Sequence, residues 1–490
     1  MTSLWNQVEF FAQSQAEQLA IIGVERSYTW NELYQSTLDV AQQITATQHS
    51  VIALYADNCP DWIVIDLACH LSQTTLLPLP AFFSDQQLKH AITASGATAV
   101  IHQENDRITS LMDLSEKNDI YLGLVLTTID SNSTPLPEKT TKITFTSGST
   151  GLPKGVCLSN EQQLRVAQSL LQSTELSAPR HLSILPFSTL LENIGGIYSP
   201  LLAGGTIIAL PQASLGFNGS NGFDLKSLLS VISQYQPESL ILLPELLMAL
   251  VSAVSQGWQA PPSLRFIAVG GSKVSAELLQ QATQCGLPVY EGYGLSECGS
   301  VVSVNSPSNA KIGSTGKVLP HLEVSVENNE IVVSGNAFLG YINEPDSWYK
   351  DKVYTGDLGY FDEEHYLHIN GRKKNLLISS FGRNINPEWV ESELLANGLL
   401  QQSVVFGDAK PYCIALVYPR VSATTNEAIQ DWIDNVNRTL PNYARIEQWL
   451  RLTEAMSFDS SLMTSNGRPV RENILKHYAE LIEQLYEGEK

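Results

Sequence analysis

Cysteine is scarce in this chain and its positions are scattered. Cys59, Cys69, Cys157, Cys285, Cys298 and Cys413 form no CxxC pair, and only Cys69 has a histidine beside it. That disfavours a disulfide framework or a zinc site, and reduced, cytosolic thiols fit best. Positive charge is also short: 29 Lys and Arg face 50 Asp and Glu, a formal charge of −21. Long-range repulsion then opposes a nucleic-acid scaffold or a binder of anionic membranes. No apolar run approaches the length of a membrane span, and the start, Met1 to Glu9, has neither a basic opening nor a clean apolar block. The expectation is a cytoplasmic protein with no integral membrane segment and no nucleic-acid partner. Internal repeats are missing too.

What remains is a long chain with enough apolar matter for a sizeable core. At 490 residues and 43% apolar content it is expected to form two or more domains. Thr29-Trp30-Asn31-Glu32 reads as a capping box, Val51 to Tyr55 as a buried strand, and Asp61 to Leu71 as a helix. Ser84-Asp85-Gln86-Gln87 caps another helix, and Ala99-Val100-Ile101 is a short apolar strand. The same alternation recurs with Ser239 to Leu243 and Phe266 to Gly270, implying βαβ units and parallel sheets. From Leu319 to Ser334 apolar and polar residues alternate as in antiparallel strands, with Asn328-Asn329 as a turn and a smaller β subdomain as the result. Beyond Lys374, strands such as Cys413 to Tyr418 and a helix from Arg471 to Leu485 suffice for a small domain.

The richest local signal is Ile143-Thr144-Phe145-Thr146-Ser147-Gly148-Ser149-Thr150-Gly151-Leu152-Pro153-Lys154-Gly155-Val156. Glycines let backbone N–H groups turn toward an anion, hydroxyls add donors, and Lys154 adds a mobile positive charge. The loop is built for phosphate, and ATP is the first candidate. The Walker pattern does not apply, because Pro153 precedes Lys154 and Gly155 follows it. ATP approaching so acidic a chain needs cations gathered locally. Arg372-Lys373-Lys374 is the densest cluster, and Mg²⁺ would help.

With this loop and four further segments, the chain resembles the acyl-adenylate-forming (AMP-binding) superfamily, most of all its long-chain acyl-CoA synthetases. Tyr290-Glu291-Gly292-Tyr293-Gly294-Leu295-Ser296-Glu297 is similar to the family's adenine and metal segment, and Tyr354-Thr355-Gly356-Asp357 to its ribose segment. Gly371-Arg372-Lys373-Lys374-Asn375 resembles the hinge, and Gly382 to Glu391 the loop after it. The resemblance implies an α/β fold. Residues 1–371 would form a large N-terminal nucleotide- and acyl-binding domain of parallel and mixed sheets with a β subdomain. Residues 375–490 would form a small, mobile α+β C-terminal lid, with the hinge at 372–374.

It also implies a ligase that joins a carboxylic acid, fatty or aryl, to AMP and then to a thiol, either CoA or the phosphopantetheine of an acyl carrier protein. Lys154, with Thr146, Ser147, Gly148, Ser149, Thr150 and Gly151, would cradle the β- and γ-phosphates. Glu297 would hold Mg²⁺ through a hard oxygen. Tyr293 would stack on adenine, Gly271 and Ser272 would let the base approach, and Gly294 and Ser296 complete that segment. Both oxygens of Asp357 would accept ribose hydroxyls, and Arg372 would bond ribose or phosphate. Lys374 is the hinge position, and Gly382 matches the glycine that lines the thiol tunnel. Leu185 to Asn193, with Ile194-Gly195-Gly196, is similar to the acyl-pocket helix. It lacks the Asp with which amino-acid-activating relatives pair a substrate ammonium.

One departure stands out. Thr464-Ser465-Asn466-Gly467-Arg468 places Arg468 where the family has its adenylating lysine. Three readings stay open: Arg468 does the lysine's work, adenylation is slow, or the acyl-adenylate arises in another way. The guanidinium is planar and larger than an ammonium, so it need not reach carboxylate and α-phosphate in the same geometry.

Overall fold

Short runs of apolar residues become strands covered on both faces. Val51, Ile52, Ala53 and Leu54 are all fully or nearly fully buried, as expected where helices sandwich parallel strands. The fold is seen in a computed structural model that describes residues 3–103, 107–112, 114–121, 123–130, 134–146, 153–217, 223–381, 383–457, 460–464 and 467–487, with 114–121 described in main chain only.

Two large mixed sheets dominate. The first has eight strands in the order Gly340–Tyr341, Lys154–Leu158, Lys142–Thr146, Thr75–Pro78, Val51–Tyr55, Ala99–His102, Leu124–Ile129 and Leu114–Tyr121. Its centre is parallel and its margins antiparallel. The second has nine strands and runs parallel from Val289–Tyr293 through Phe266–Val269, Ser239–Leu242, Arg180–Leu182 and Thr206–Ile208 to Leu19–Ile22. One hydrophobic cluster draws on both sheets, joining Ile52 and Leu54 of the first to Ile21 and Ile207 of the second.

The helix starts follow local chemistry. Thr29 and Glu32 form a reciprocal capping box before Trp30–Thr47, and Ser84 with Gln87 does the same before Asp85–Ser95. The helix expected at Asp61 to Leu71 spans Pro60–Ser72, with proline at its first position.

A four-stranded antiparallel sheet, Glu323–Glu327, Glu330–Ser334, Lys352–Phe361 and Leu367–Arg372, follows the second large sheet. Asn328 and Asn329 turn its first hairpin with φ of 52° and 65°, the left-handed pair that a tight turn requires. After Arg372 the chain builds a three-stranded sheet, Leu400–Phe406, Cys413–Pro419 and Ile446–Arg451. Two further hydrophobic clusters are drawn from residues 377–482 alone. The helix expected from Arg471 to Leu485 is two helices, Arg471–His477 and Ala479–Glu487, broken at Tyr478.

The strand leading into the phosphate-type loop is anchored from below. Lys142 begins that strand and is almost wholly buried. Its Nζ donates to Asp66 Oδ1 at 2.7 Å, to Tyr198 Oη at 2.9 Å and to Asn193 Oδ1. Asn193 Nδ2 in turn donates to Asp66 Oδ2 at 2.9 Å. A buried lysine is tolerated only when paired and hydrogen-bonded in this way. Asn193 and Tyr198 bound a π-helical turn, Asn193–Tyr198, in the segment read from sequence as one acyl-pocket helix.

Candidate active site

Ser147, Gly148, Ser149, Thr150, Gly151 and Leu152 lie outside the described residues, as does Gly382. The strands that carry the loop are described. Lys142–Thr146 pairs antiparallel with Lys154–Leu158, and Thr146 sits opposite Lys154 at the loop's base. Lys154 is half exposed. Its Nζ lies 2.8 Å from Glu344 Oε1 and 4.8 Å from the centre of the Tyr341 ring.

Tyr341 reaches the other way as well. Its hydroxyl donates to Glu297 Oε1 at 2.7 Å, and burial, followed by the Glu297 charge, pushes that phenol well above its ordinary value. It therefore stays protonated and remains a donor. Glu297 is carried by a one-turn helix, Ser296–Cys298, and its main-chain carbonyl accepts from Phe338 N at 2.8 Å. Lys154, Tyr341 and Glu297 thus form one connected group.

A second group sits at the junction of the two sheet systems. Tyr293 ends the strand Val289–Tyr293, and its hydroxyl donates to Asp357 Oδ2 at 2.6 Å. Arg372 lies opposite Asp357 in the antiparallel ladder, and its Nε donates to Asp357 Oδ1 at 2.7 Å. Asp357 is 4% exposed. Burial raises its carboxyl from the ordinary value, and Arg372 and Tyr293 oppose that rise. Asp357 was expected to offer both oxygens to ribose. Each oxygen already carries one protein donor, and a carboxylate retains further lone pairs for a diol. Tyr293 was expected as a stacking ring, and it proves also to be a hydrogen-bonding one. Gly294, next in the chain, admits no side chain, because a Cβ there would overlap the Ser300 carbonyl oxygen.

The C-terminal segment meets this second group. Arg468 Nη2 donates to the carbonyl oxygen of Gly271, in the loop after Phe266–Val269, while Ser272 is exposed. The charges of Arg372, Glu388 and Asp357 all act on Arg468. Its loop is pinned on one side by Thr464, whose Oγ1 accepts from Arg468 N at 3.0 Å. On the other side Arg471 Nη2 meets both carboxylate oxygens of the buried Glu391, at 2.7 and 2.6 Å. Lys374 lies in the turn Lys373–Asn375. Burial first, then Arg372, lowers its ammonium from the ordinary value. Gly371 has φ of 130° and packs against Asn386, the N-cap of helix Pro387–Leu395, so a side chain there would be both strained and obstructed.

The structure therefore brings Tyr293, Asp357, Arg372, Lys374 and Arg468 into one group, and Thr146, Lys154 and Glu297 into another. Sequence reasoning missed Tyr341, Glu344 and Glu388. Glu388 accepts from Asn375 Nδ2 at 2.6 Å, and its charge acts on Lys374, Asp357 and Arg468. Tyr341 and Glu344 carried no motif of their own. It also missed His181, whose Nε2 lies 3.0 Å from Glu192 Oε1 while its Nδ1 meets Ser239 Oγ at 2.9 Å. The apolar residues around Glu192, namely Phe187, Leu190, Ile194 and Ile197, are buried core.

The AMP-binding enzyme family matches residues 8–342, and the AMP-binding enzyme C-terminal domain matches residues 374–490. The chain belongs to the AMP-binding enzymes. The 2-succinylbenzoate–CoA ligase of Staphylococcus epidermidis is 28% identical over 399 residues, covering 78% of this chain and 80% of that protein. The long-chain-fatty-acid–CoA ligase FadD15 of Mycobacterium bovis is 37% identical over 180 residues, 35% of this chain and 28% of its own. The structure of o-succinylbenzoate coenzyme A synthetase (MenE) from Bacillus subtilis with ATP and magnesium ion shares the fold. Its TM-score is 0.75 at 22% identity, over 95% of this chain and 98% of that one. No helix among the described residues is long and apolar enough to cross a membrane.

Proposed function

We propose that this AMP-binding enzyme is an ATP-dependent acid–thiol ligase. The carboxylate oxygen of an acid attacks the α-phosphorus of ATP, the bond to the β-phosphate oxygen breaks, and pyrophosphate leaves. A thiol sulfur then attacks the acyl carbonyl, AMP departs, and the thiol proton passes to solvent or base. The observation that carries this reading is the reach of Arg468 to Gly271. It sets a cation from the C-terminal segment beside the Tyr293–Asp357–Arg372 group.

In this reading Lys154, Thr146 and the loop 147–151 hold the β- and γ-phosphates. Tyr293, Gly271, Ser272, Gly294 and Ser296 surround the base, and Asp357 with Arg372 takes the ribose. Residues 1–371 and 375–490 act as body and lid, turning at Lys374. Glu297 fits Mg²⁺ of the kind that arrives with nucleotide. Among the described residues no three His, Cys, Asp or Glu gather into a metal cage, and Mg²⁺ is ordinarily held by one or two carboxylates plus substrate phosphates. When bound, it would neutralise phosphate charge.

The acid is read as fatty or aryl. Relatives named for an aryl acid and for fatty acids support a carboxylic acid of one of these two kinds. CoA is the acceptor favoured by those relatives, with a carrier-protein thiol as the alternative.

The test is pyrophosphate release with ATP, Mg²⁺ and a panel of medium-chain, long-chain and aryl acids, followed by thioester formation with CoA or a carrier protein. Acid-dependent release by the natural protein supports the ligase. A second reading, a nucleotide-binding homologue without adenylation, is favoured by Arg468 itself. Release only from Arg468→Lys would establish it, and release from neither protein would end the ligase reading.

A further inference from the structure

The strap at residues 340–344 is fastened to the edge of the first sheet beside Lys154. Gly340 and Tyr341 pair with Cys157 and Val156, and Ile342 N donates to the carbonyl of Gly155 at 3.0 Å. Behind the strap, Trp348 Nε1 donates to Tyr341 O at 2.8 Å, and Tyr341 N donates to Ser347 Oγ at 2.9 Å. The main chain is therefore fixed on both sides, and its side chains act from a rigid base. From that base Tyr341 places its ring under Lys154 and its hydroxyl on Glu297, while Glu344 takes the Lys154 ammonium.

We propose that Tyr341 and Glu344 are positioning residues for the polyphosphate end of the site. Glu344 is a removable stand-in for phosphate on Lys154, and the Tyr341 hydroxyl fixes Glu297 for a nucleotide-borne cation. The proposal rests on the reading of Lys154 and Glu297 given above. Lys154 and Glu344 have side chains 44% and 46% exposed, so their pair is the weak, exchangeable kind. A polyphosphate brings several oxyanions to the same ammonium and displaces it. Until then, the pair holds Lys154 over the ring rather than letting it roam through many rotamers. The Tyr341 hydroxyl satisfies part of one Glu297 oxygen and leaves the carboxylate with lone pairs to give a metal.

Binding measurements without acid, and hence without turnover, separate the parts. The probes are ATP, inorganic tripolyphosphate and AMP, titrated calorimetrically in EDTA and then with rising Mg²⁺. Glu344→Gln is expected to bind ATP and tripolyphosphate about two- to fivefold tighter in EDTA at low salt, with AMP unchanged. That gain shrinks as salt screens the pair. Tyr341→Phe keeps the ring but is expected to raise the Mg²⁺ needed for full ATP binding about tenfold, again with AMP unchanged.

Weakening of ATP by Lys154→Ala, with no gain from Glu344→Gln, would overturn the stand-in role and leave the phosphate reading of Lys154 intact. An unchanged Mg²⁺ requirement in Tyr341→Phe would overturn the role of the hydroxyl. If Lys154→Ala alters neither ATP nor tripolyphosphate, the reading of Lys154 fails and the strap's role falls with it.

Discussion

Two lysines occupy opposite ends of one β-hairpin and solve opposite problems. Lys142 lies at the hairpin's base with its ammonium out of water, held by Asp66, Asn193 and Tyr198. Lys154 lies where the loop returns, half in solvent, on Glu344. Burial pushes the Lys142 ammonium down from its ordinary value, and Asp66 works against that loss. Such a pair is too costly to open, so it fixes the strand below the loop. The Lys154 pair is cheap to open and can be exchanged for a ligand. The second group repeats the first solution: Asp357 is buried and bonded on both oxygens, which suits a group that must be in place before a ligand arrives.

The strongest way to break this contrast is at Lys142. Lys142→Met leaves Asp66 buried without its counter-charge and is expected to cost about 3–5 kcal/mol of stability in denaturant unfolding. Adding Asp66→Leu should restore much of that loss, because the uncompensated charge is then gone. If the single variant is as stable as the parent, Lys142 is not the anchor described. Asp357→Ala comes next. It strands the Tyr293 hydroxyl and Arg372, and it removes the oxygens assigned to ribose. Affinity for ATP and AMP alike should fall by about 2–3 kcal/mol, roughly 30- to 150-fold. Loss of ATP affinity with AMP retained would move Asp357 out of the ribose site.

The sequence spoke clearly where one local rule decided the outcome. Val51–Tyr55 and Phe266–Val269 were readable because strands buried on both faces must be continuously apolar. The capping boxes at Thr29 and Ser84 were readable because a hydroxyl and a Glu or Gln three residues on complete each other. The π turn at Asn193–Tyr198 was not; the bonds that its end residues make go to Lys142 and Asp66, far away in the chain. The same divide runs through the site. Tyr293, Asp357, Arg372 and Arg468 could be named from their motifs, and the structure brings them together. Tyr341 and Glu344 act across 44 and 190 positions, where no local spacing points. Lys142 stands one residue before the motif that begins at Ile143, so no motif points to it; only its burial shows that it must have a partner.

Glu291 gives the contrast a pH dependence. It lies on the strand that carries Tyr293 and is 5% exposed, and burial pushes its carboxyl up to about 7, with Lys273 opposing. The folded form therefore holds this proton more tightly than the unfolded chain does. Its contribution to stability is fully present below the ordinary carboxylate range and is lost as pH rises through 7. Glu291→Gln should gain about 1–3 kcal/mol relative to the parent between pH 4.5 and 8, and remain level above that. Thermal unfolding of both proteins across that range checks it, and parallel curves would show that Glu291 titrates normally.

The smallest stability effect is expected at Lys154, and it decides whether the two lysines really differ in kind. Lys154→Ala removes an exposed ion pair with Glu344 and a cation over the Tyr341 ring. Exposed pairs of this type contribute about 0–1 kcal/mol, and the freed rotamers of both side chains offset part of that. Unfolding free energy should therefore stay within about 0.5 kcal/mol of the parent, while ATP binding falls and AMP binding does not. A large stability loss would mean that Lys154, like Lys142, is a fixed part of the fold. Glu344 could not then be displaced cheaply, and the exchange of one anion for another at this lysine would lose its energetic basis.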